Sequence, residues 1–312
     1  MQMDLSKIKL NSAKNRVNLV TLENMAALGD AVAQWDTPDF SELIVQIKKA
    51  RAAKRPVILS MGAHVIKNGL SRYLIALMRE NWVTHLASNG AGSIHDFELC
   101  YLGGTSEDVK QSIQDGSFGM WDETCTWMNE AIKAGCDYGY GASLARYMDK
   151  FPERFPHKED CVLYQAHQLG VPATYHIALG TDIIHQHPET DFAAIGKASG
   201  IDFHKLCQSV ADMDGGVFLN FGSGVIGPEV FLKALSIARN LGYSTSDITT
   251  ANFDIVNPGG KVAGYTQSEP LYYYRPLKNI VSRPTVASGR GWHFSVCHSV
   301  SLPNLYQRLV QS

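Results

Sequence analysis

The chain is 312 residues long and carries 28 Lys and Arg against 30 Asp and Glu, a formal net charge of −2, with 45% hydrophobic and 19% charged residues. That balance excludes a disordered or fibrous chain. Its scattered basic residues exclude the electrostatic footprint of a nucleic-acid or anionic-membrane binder, so the expected partner is a small molecule. The length is compatible with two domains, but one α/β domain over residues 1–312 is the expectation.

No run approaches the ~18 apolar residues of a membrane span, and the opening MQMDLSKIKL is charged where a signal peptide would be apolar, so a cytoplasmic protein is expected. Six cysteines (Cys100, Cys125, Cys136, Cys161, Cys207, Cys297) contain no C-x-x-C pair and read as reduced, mostly core residues.

Residues 1–54 read as a helical extension, clearest where Phe40, Leu43, Ile44 and Ile47 repeat at helical spacing after a cap candidate, Thr37. Pro56 to Met61 is a strand ending at Gly62, and Gly69 to Met78 is a helix. A second strand, Val83 to Ala87, runs into SNGAGSIHDFE, a glycine-rich loop that opens a helix. Residues 103–156 form an aromatic-rich helical insertion with Trp121, Trp127, Tyr138, Tyr140 and Tyr147. A third strand, Val171 to Leu179, enters GTDIIHQHPETD. The fourth, Gly216 to Phe221, meets GSGVIG and an amphipathic helix through Arg239, and the fifth, Ile248 to Phe253, ends at Asp254. Residues 257–270 are loop by composition.

Strands alternating with helices predict an α/β, Rossmann-like fold: a mostly parallel sheet with helices on both faces. Ligands bind such sheets outside the carboxyl ends of the strands. The loops starting at Gly62, Ser88, Gly180 and Gly222 therefore share one functional rim.

The sharpest motif is Gly222-Ser223-Gly224-Val225-Ile226-Gly227, a G-x-G-x-x-G between a predicted strand and a predicted helix. Its glycines allow a tight turn and close approach of a pyrophosphate to the helix N-terminus. Asp254, 27 positions beyond Gly227 against a usual ~20, ends the next strand where a ribose would be held. A dinucleotide is implied; a glycine-rich turn that binds nothing is the bland alternative. The loops Gly62-Ala63-His64 through Lys67 and Ser88-Asn89-Gly90 through Gly92, His95 and Asp96 offer amides and ionisable groups that suit phosphates. His176, Asp182, His185 and His187 cluster in sequence and suit acid/base or ribose-binding work. A metal-assisted hydrolase is the alternative there, although the spacing fixes no set of three ligands, and no metal is assigned.

In order, these loops resemble those of deoxyhypusine synthase, an NAD-dependent enzyme that moves an aminobutyl group from spermidine to a protein lysine. The similarity runs from about Pro56 to Pro303. VTHLASNGAGSIHDFELC resembles the family's Thr-Thr-Ala-Gly-Gly loop with its acidic follow-on, keeping Gly92, Asp96 and Cys100. PVILSMGAHVIKNGL keeps Gly69 but has Gly62, Ala63 and His64 where the family has Thr, Ser and Asn. VPATYHIALGTD, GSGV, TTANFD and Arg275-Pro276 resemble further family segments. The resemblance implies a Rossmann-like fold, bound NAD and a homotetramer with sites between subunits. It implies that Ser88, Asn89, Gly90, Gly92, Asp182 and Thr250 join Gly222, Ser223, Gly224 and Asp254 around the cofactor.

The departures are as informative. The family's catalytic lysine in Trp-Gly-Lys is absent: Lys278 comes too early, and Pro284 stands at the expected place. The family's histidine after its glycine loop is replaced by Gly227-Pro228-Glu229. Five residues past Asp182, where the family has an acid that grips a cationic amine, stands His187. The expectation is an NAD-binding transferase or oxidoreductase that acts on a small amine or polyamine-like substrate by hydride transfer, with or without alkylamine transfer. His95, Asp96, His187 and Lys67 or Lys278 are the candidate acid, base or amine-binding groups. A non-catalytic nucleotide-binding protein on the same fold is the remaining alternative.

Overall fold

Alternate residues of the short apolar runs face opposite ways, and here both faces are covered. In Val57–Met61, Val57, Leu59 and Met61 enter one hydrophobic cluster and Ile58 enters another. Such two-sided burial is what a parallel strand under helices requires. In the computed structural model, which describes residues 4–261 and 263–310, six strands form one sheet: β1 (Val57–Met61), β2 (His85–Asn89), β3 (Ala173–His176), β4 (Val217–Phe221), β5 (Thr249–Asp254) and β6 (Arg290–Ser295). Their order is β3-β2-β1-β4-β5-β6 and every pairing is parallel. This is the doubly wound order, whose direction of winding reverses between β1 and β4.

The helices are α1 (Pro38–Ala52), α2 (His64–Lys67), α3 (Ser71–Arg79), α4 (Gly90–Leu102), α5 (Val109–Ser112), α6 (Asp122–Gly135), α7 (Tyr140–Lys150), α8 (Val162–Gln168), α9 (Phe192–Ala211), α10 (Ile226–Asn240) and α11 (His298–Val310). Helices α1, α3 and α11 cover one face with Phe40, Leu43, Leu74 and Leu305. Helices α9 and α10 cover the other with Leu206, Val210, Phe231 and Leu235. A third cluster, including Phe97, Met128, Leu144 and Leu163, joins α4, α6, α7 and α8 into the expected helical layer. Across β4, β5 and β6 the rings of Phe221, Phe253 and Phe294 stack at centroid spacings of 4.3 and 4.9 Å, tying the strands that flank the glycine loop. No helix among the described residues is long and apolar enough to cross a membrane.

Two expectations change. The N-terminal extension is helical only at α1, where Thr37 caps the helix through Phe40 N, 3.1 Å from its Oγ1. Most of residues 4–36 form turns and extended strap, tied by Val20–Thr21 pairing with Gly104–Thr105 and by Asn11 bonded to Met120 and Asp122. The sixth strand was not foreseen, because Arg290–Ser295 is an edge strand with mostly half-exposed positions and no apolar run. Three cysteines, Cys100, Cys125 and Cys161, are buried, while Cys297 is exposed.

His85 on β2 is wholly buried, with Nδ1 2.8 Å from Ser209 Oγ and Nε2 2.9 Å from Thr174 Oγ1. Burial, above all, pulls its pKa down to about 3, with smaller contributions from His176 and Lys205. A lowered folded pKa means the neutral ring supports the fold fully above pH 6.5, and that support is lost as the pH falls towards 3. His85→Gln should therefore flatten stability against pH between 6 and 4 by one proton, ~1.4 kcal/mol per pH unit. Urea titrations read the slope, and an unchanged slope contradicts the assignment.

Candidate active site

The β1 and β4 loops meet where the winding reverses. Gly62 N donates to Phe221 O at 2.9 Å, and a Cβ on Gly62 would lie 2.6 Å from Gly222 O, so only glycine lets the loops cross. The three glycines after β4 divide the work of a dinucleotide fingerprint. Gly222 makes the turn at φ +66°. Gly224 is exposed, and a Cβ there would meet nothing within 4 Å. Gly227 presses α10 onto the sheet, where a Cβ would come within 2.5 Å of Ser60 Oγ and 2.9 Å of Ser223 Oγ. Ser223 Oγ accepts from Gly227 N at 2.9 Å and holds the first turn of α10.

At the end of β5, Asp254 Oδ1 accepts from Ile255 N at 2.7 Å, and Oδ2 accepts from Tyr274 Oη at 2.6 Å. Oδ1 also accepts from Val256 N at 3.3 Å, so it is Oδ2 that retains a lone pair for a sugar hydroxyl. His298, at the start of α11, fills the space beside Gly222: a Cβ on Gly222 would be 2.4 Å from His298 Nε2. The ring is 8% exposed and its Nδ1 is unpartnered. Burial lowers the His298 pKa, against the opposing pull of Asp254. Sequence reasoning missed His298 because the strand that delivers it was missed.

Beside this crevice lies a cavity of about 220 Å³ whose lining includes Arg16, Lys67, His95, Glu98, Glu107 and Asp182. Arg16 and Glu98 form a bidentate ion pair at 2.8 and 2.7 Å, with side chains 3% and 2% exposed. Thr105 Oγ1 donates to Glu98 Oε2 at 2.6 Å, so it accepts from His95 Nδ1 at 2.7 Å. That fixes the tautomer with His95 Nε2 as a lone-pair acceptor. Burial takes the His95 pKa down to about 4, keeping the ring neutral.

Asp182 lies over the start of α4, where a Cβ on Gly90 would be 1.9 Å from its Oδ2. Oδ2 is buried and unpartnered, and burial raises the Asp182 pKa to about 6. His185 Nδ1 accepts from Gly180 N and Asp182 N, both at 3.1 Å, so its protonated Nε2 faces Asp182 Oδ2 at 4.0 Å. Glu107 was not foreseen. Its Oε1 accepts from Gly119 N and Trp121 Nε1 at 3.0 and 2.8 Å, while Oε2 is buried and unpartnered.

The structure thus brings Lys67, His95 and Asp182 together and places Gly62, Ala63, His64, Gly222, Ser223, Gly224 and Asp254 along the adjoining loops. It separates the others. Asp96 is 1% exposed and accepts from Val162 N and Leu163 N at 2.9 and 2.7 Å, so it caps α8 and faces no cavity. Ser88 Oγ donates to Met61 O, and Asn89 Oδ1 caps α4 through Gly92 N at 3.0 Å, so Ser88, Asn89 and Gly92 pack the loop on itself, whereas Gly90 stays against Asp182. Thr250 is fully buried and donates to Ile280 O at 2.7 Å, behind the rim. His187 turns to Thr126 Oγ1 on α6 at 3.2 Å, and Lys278 Nζ lies 3.9 Å over the Tyr272 ring. His176 bonds Thr174 Oγ1 at 3.2 Å and lines a separate groove with Ser199 and Ile226. Of the four, Asp182 and His185 meet, while His176 and His187 turn elsewhere. Among the described residues no group of three or more His, Cys, Asp or Glu is placed to hold a metal. A larger cavity of about 870 Å³ lies between α6 and α7, away from every strand end.

No family model matches the chain, and no curated protein matches it. Solved structures do. The ternary complex of AgrE with ornithine and NAD+ is 15% identical at a TM-score of 0.51, covering 89% of this chain and 34% of its own. A protein named as LOR/SDH from Methanococcus maripaludis S2 is 13% identical at 0.52, covering 91% and 73%. A protein named as a deoxyhypusine synthase, from Entamoeba histolytica, is 9% identical at 0.49, covering 86% of each chain. The chain spans about a third of AgrE. The likenesses to AgrE and to the LOR/SDH protein agree with a Rossmann-like α/β fold.

Proposed function

We propose that the protein binds NAD across the β1/β4 crevice and carries out hydride-transfer chemistry on a small amine held in the Lys67–His95–Asp182 cavity. The observation that carries this reading is the division of labour among Gly222, Gly224 and Gly227: turn, open approach and close helix packing. The Gly222–Gly224 loop and the first turn of α10 would hold the pyrophosphate, with Asp254 at a ribose and Gly62, Ala63 and His64 alongside. The bound cofactor supplies a hydride acceptor. His95 Nε2, neutral and unblocked by Thr105, accepts a hydrogen bond from the reacting amine and orients it. Burial of Asp182 beside His95 strengthens its pull on a substrate cation. AgrE, solved with ornithine and NAD+ on this fold, supports the pairing of cofactor and amine.

Transfer through an imine is the finer form of this reading, with Lys67 as the amine that accepts the alkyl group. Lys67 is favoured over Lys278 because it lines the cavity and has no hydrogen-bond or ion-pair partner among the described residues, whereas Lys278 lies on Tyr272. A homotetramer with sites between subunits belongs to the same reading, and light scattering measures it.

Calorimetric titration with NAD+, followed by spermidine or ornithine while absorbance at ~340 nm is watched, tests the core of the proposal. Saturable binding and NADH formation are expected. Borohydride added during turnover should trap an adduct that Lys67→Met abolishes. Without NAD+ binding, the reading fails at its root.

A further inference from the structure

A chain of side-chain hydrogen bonds runs from the glycine loop across β4, β5 and β6 to Asp254. Asn220 on β4 is fully buried, and its Nδ2 donates to Ser223 O of the glycine loop at 3.0 Å and to Asn252 Oδ1 on β5 at 2.7 Å. Asn252, also fully buried, turns its own Nδ2 to His293 Nδ1 on β6 at 2.8 Å and to Tyr274 Oη at 3.4 Å. His293 Nε2 donates to Val256 O at 2.7 Å, which leaves Nδ1 as the acceptor. Tyr274 Oη then donates to Asp254 Oδ2 at 2.6 Å. Burial, and after it this hydrogen bond, raises the Tyr274 pKa, so the phenol keeps its proton and remains the donor. A strand covered on both faces ordinarily carries apolar side chains, so Asn220 and Asn252, paired in register across β4 and β5, are a departure that packing does not explain.

We infer that Tyr274 is a positioning residue for the cofactor's ribose: it holds Asp254 in the orientation that receives a sugar hydroxyl, and the Asn220–Asn252 pair ties that orientation to the glycine loop. Asp254 is half-buried at the end of β5, and its Oδ1 is engaged by Ile255 N and Val256 N at 2.7 and 3.3 Å. Those two local bonds hold one oxygen and leave the other free to swing. Tyr274 removes that freedom, so the remaining lone pair of Oδ2 is aimed before the ligand arrives. An acid fixed in advance avoids the ordering that a mobile one costs on binding. The same fixed charge opposes a phosphate in place of the hydroxyl. Arg275, the next residue, is engaged elsewhere, its Nε with Glu229 Oε1 at 2.9 Å and its Nη1 with Tyr273 O at 3.0 Å. The inference rests on the proposed binding of NAD at this crevice and adds the residue that acts through Asp254.

Calorimetry on the full chain with NAD+ and with NADP+ tests it. NAD+ should bind at least ~10-fold tighter than NADP+. Tyr274→Phe, which removes only the hydroxyl, should weaken NAD+ about 10-fold and NADP+ little, narrowing that ratio. Asp254→Asn should weaken NAD+ by a similar or larger factor. The deciding measurement is the double variant: a residue that acts through Asp254 adds nothing once the carboxylate is gone, so Tyr274→Phe/Asp254→Asn should bind NAD+ within ~2-fold of Asp254→Asn alone. A tyrosine that only packs would lower both cofactors alike, and its loss would multiply with that of Asp254→Asn. Thermal melts confirm that all three variants fold. Unaltered NAD+ affinity in Tyr274→Phe, an equal loss for NADP+, or multiplying losses in the double variant overturns this inference and leaves the cofactor reading standing. A wild-type chain that binds no NAD+ overturns both.

Discussion

Gly224→Glu should weaken NAD+ binding roughly a hundredfold, about 2.7 kcal/mol, while leaving the melting temperature nearly unchanged. The position is exposed, and a side chain there meets nothing within 4 Å, so the fold has no reason to resist it. A carboxylate placed there faces the pyrophosphate at the positive end of α10 and repels what the helix attracts. Gly227→Ala is the opposite control. Its Cβ would meet Ser60 Oγ at 2.5 Å, Ser223 Oγ at 2.9 Å and Asn220 Oδ1 at 3.0 Å, and overpacking of this kind costs about 1–3 kcal/mol. Calorimetry and thermal melts on the two variants separate binding from folding. Unaltered NAD+ affinity in Gly224→Glu would remove the crevice as the cofactor site.

The largest stability effect is expected at Arg16. Its guanidinium is buried against Glu98, whose oxygens also accept from Thr105 and Thr124, so Arg16→Ala leaves a hydrogen-bonded but uncompensated charge in the interior. Breaking one side of such a pair costs about 3–5 kcal/mol, whereas replacing both partners with apolar groups of similar volume is often close to neutral. Urea denaturation should therefore show Arg16→Ala far less stable than the double variant Arg16→Met/Glu98→Leu. Equal losses in the two would mean that packing, and not charge, holds the strap.

Five of the six strands were legible because a strand covered on both faces is written as a short apolar run, as in VILSM and VFLNF. Arg290–Ser295 was not, because an edge strand is relieved of that pattern on its open side. His298, held two residues beyond Val296 as it bonds Asp254 O, was lost with it. The glycine loop was legible through its setting between strand and helix. The cavity was not, since Arg16, Glu98 and Glu107 meet only after distant segments pack, and no local spacing records that. Asp96 and His187 carry the residue types of catalytic groups, yet a carboxylate suits a helix N-terminus as well as an active site. Lys67, His95 and Asp182 were placed on the right rim because loops at strand ends converge whatever their sequence separation.

The strap also sets a timetable. Arg16 reaches Glu98 across 82 residues, and Asn11 joins Met120 and Asp122 across still more chain, so these contacts close long loops. Closing them costs entropy that the early, shorter-range β1–β2 and β4–β5 pairings do not incur. The crevice is no exception, since Val57 pairs with Val217 across 160 residues, a longer loop than any the strap closes. Neither the crevice nor the polar cavity can therefore form from neighbouring segments alone, and during refolding competence to bind the cofactor should appear only with the β1–β4 pairing.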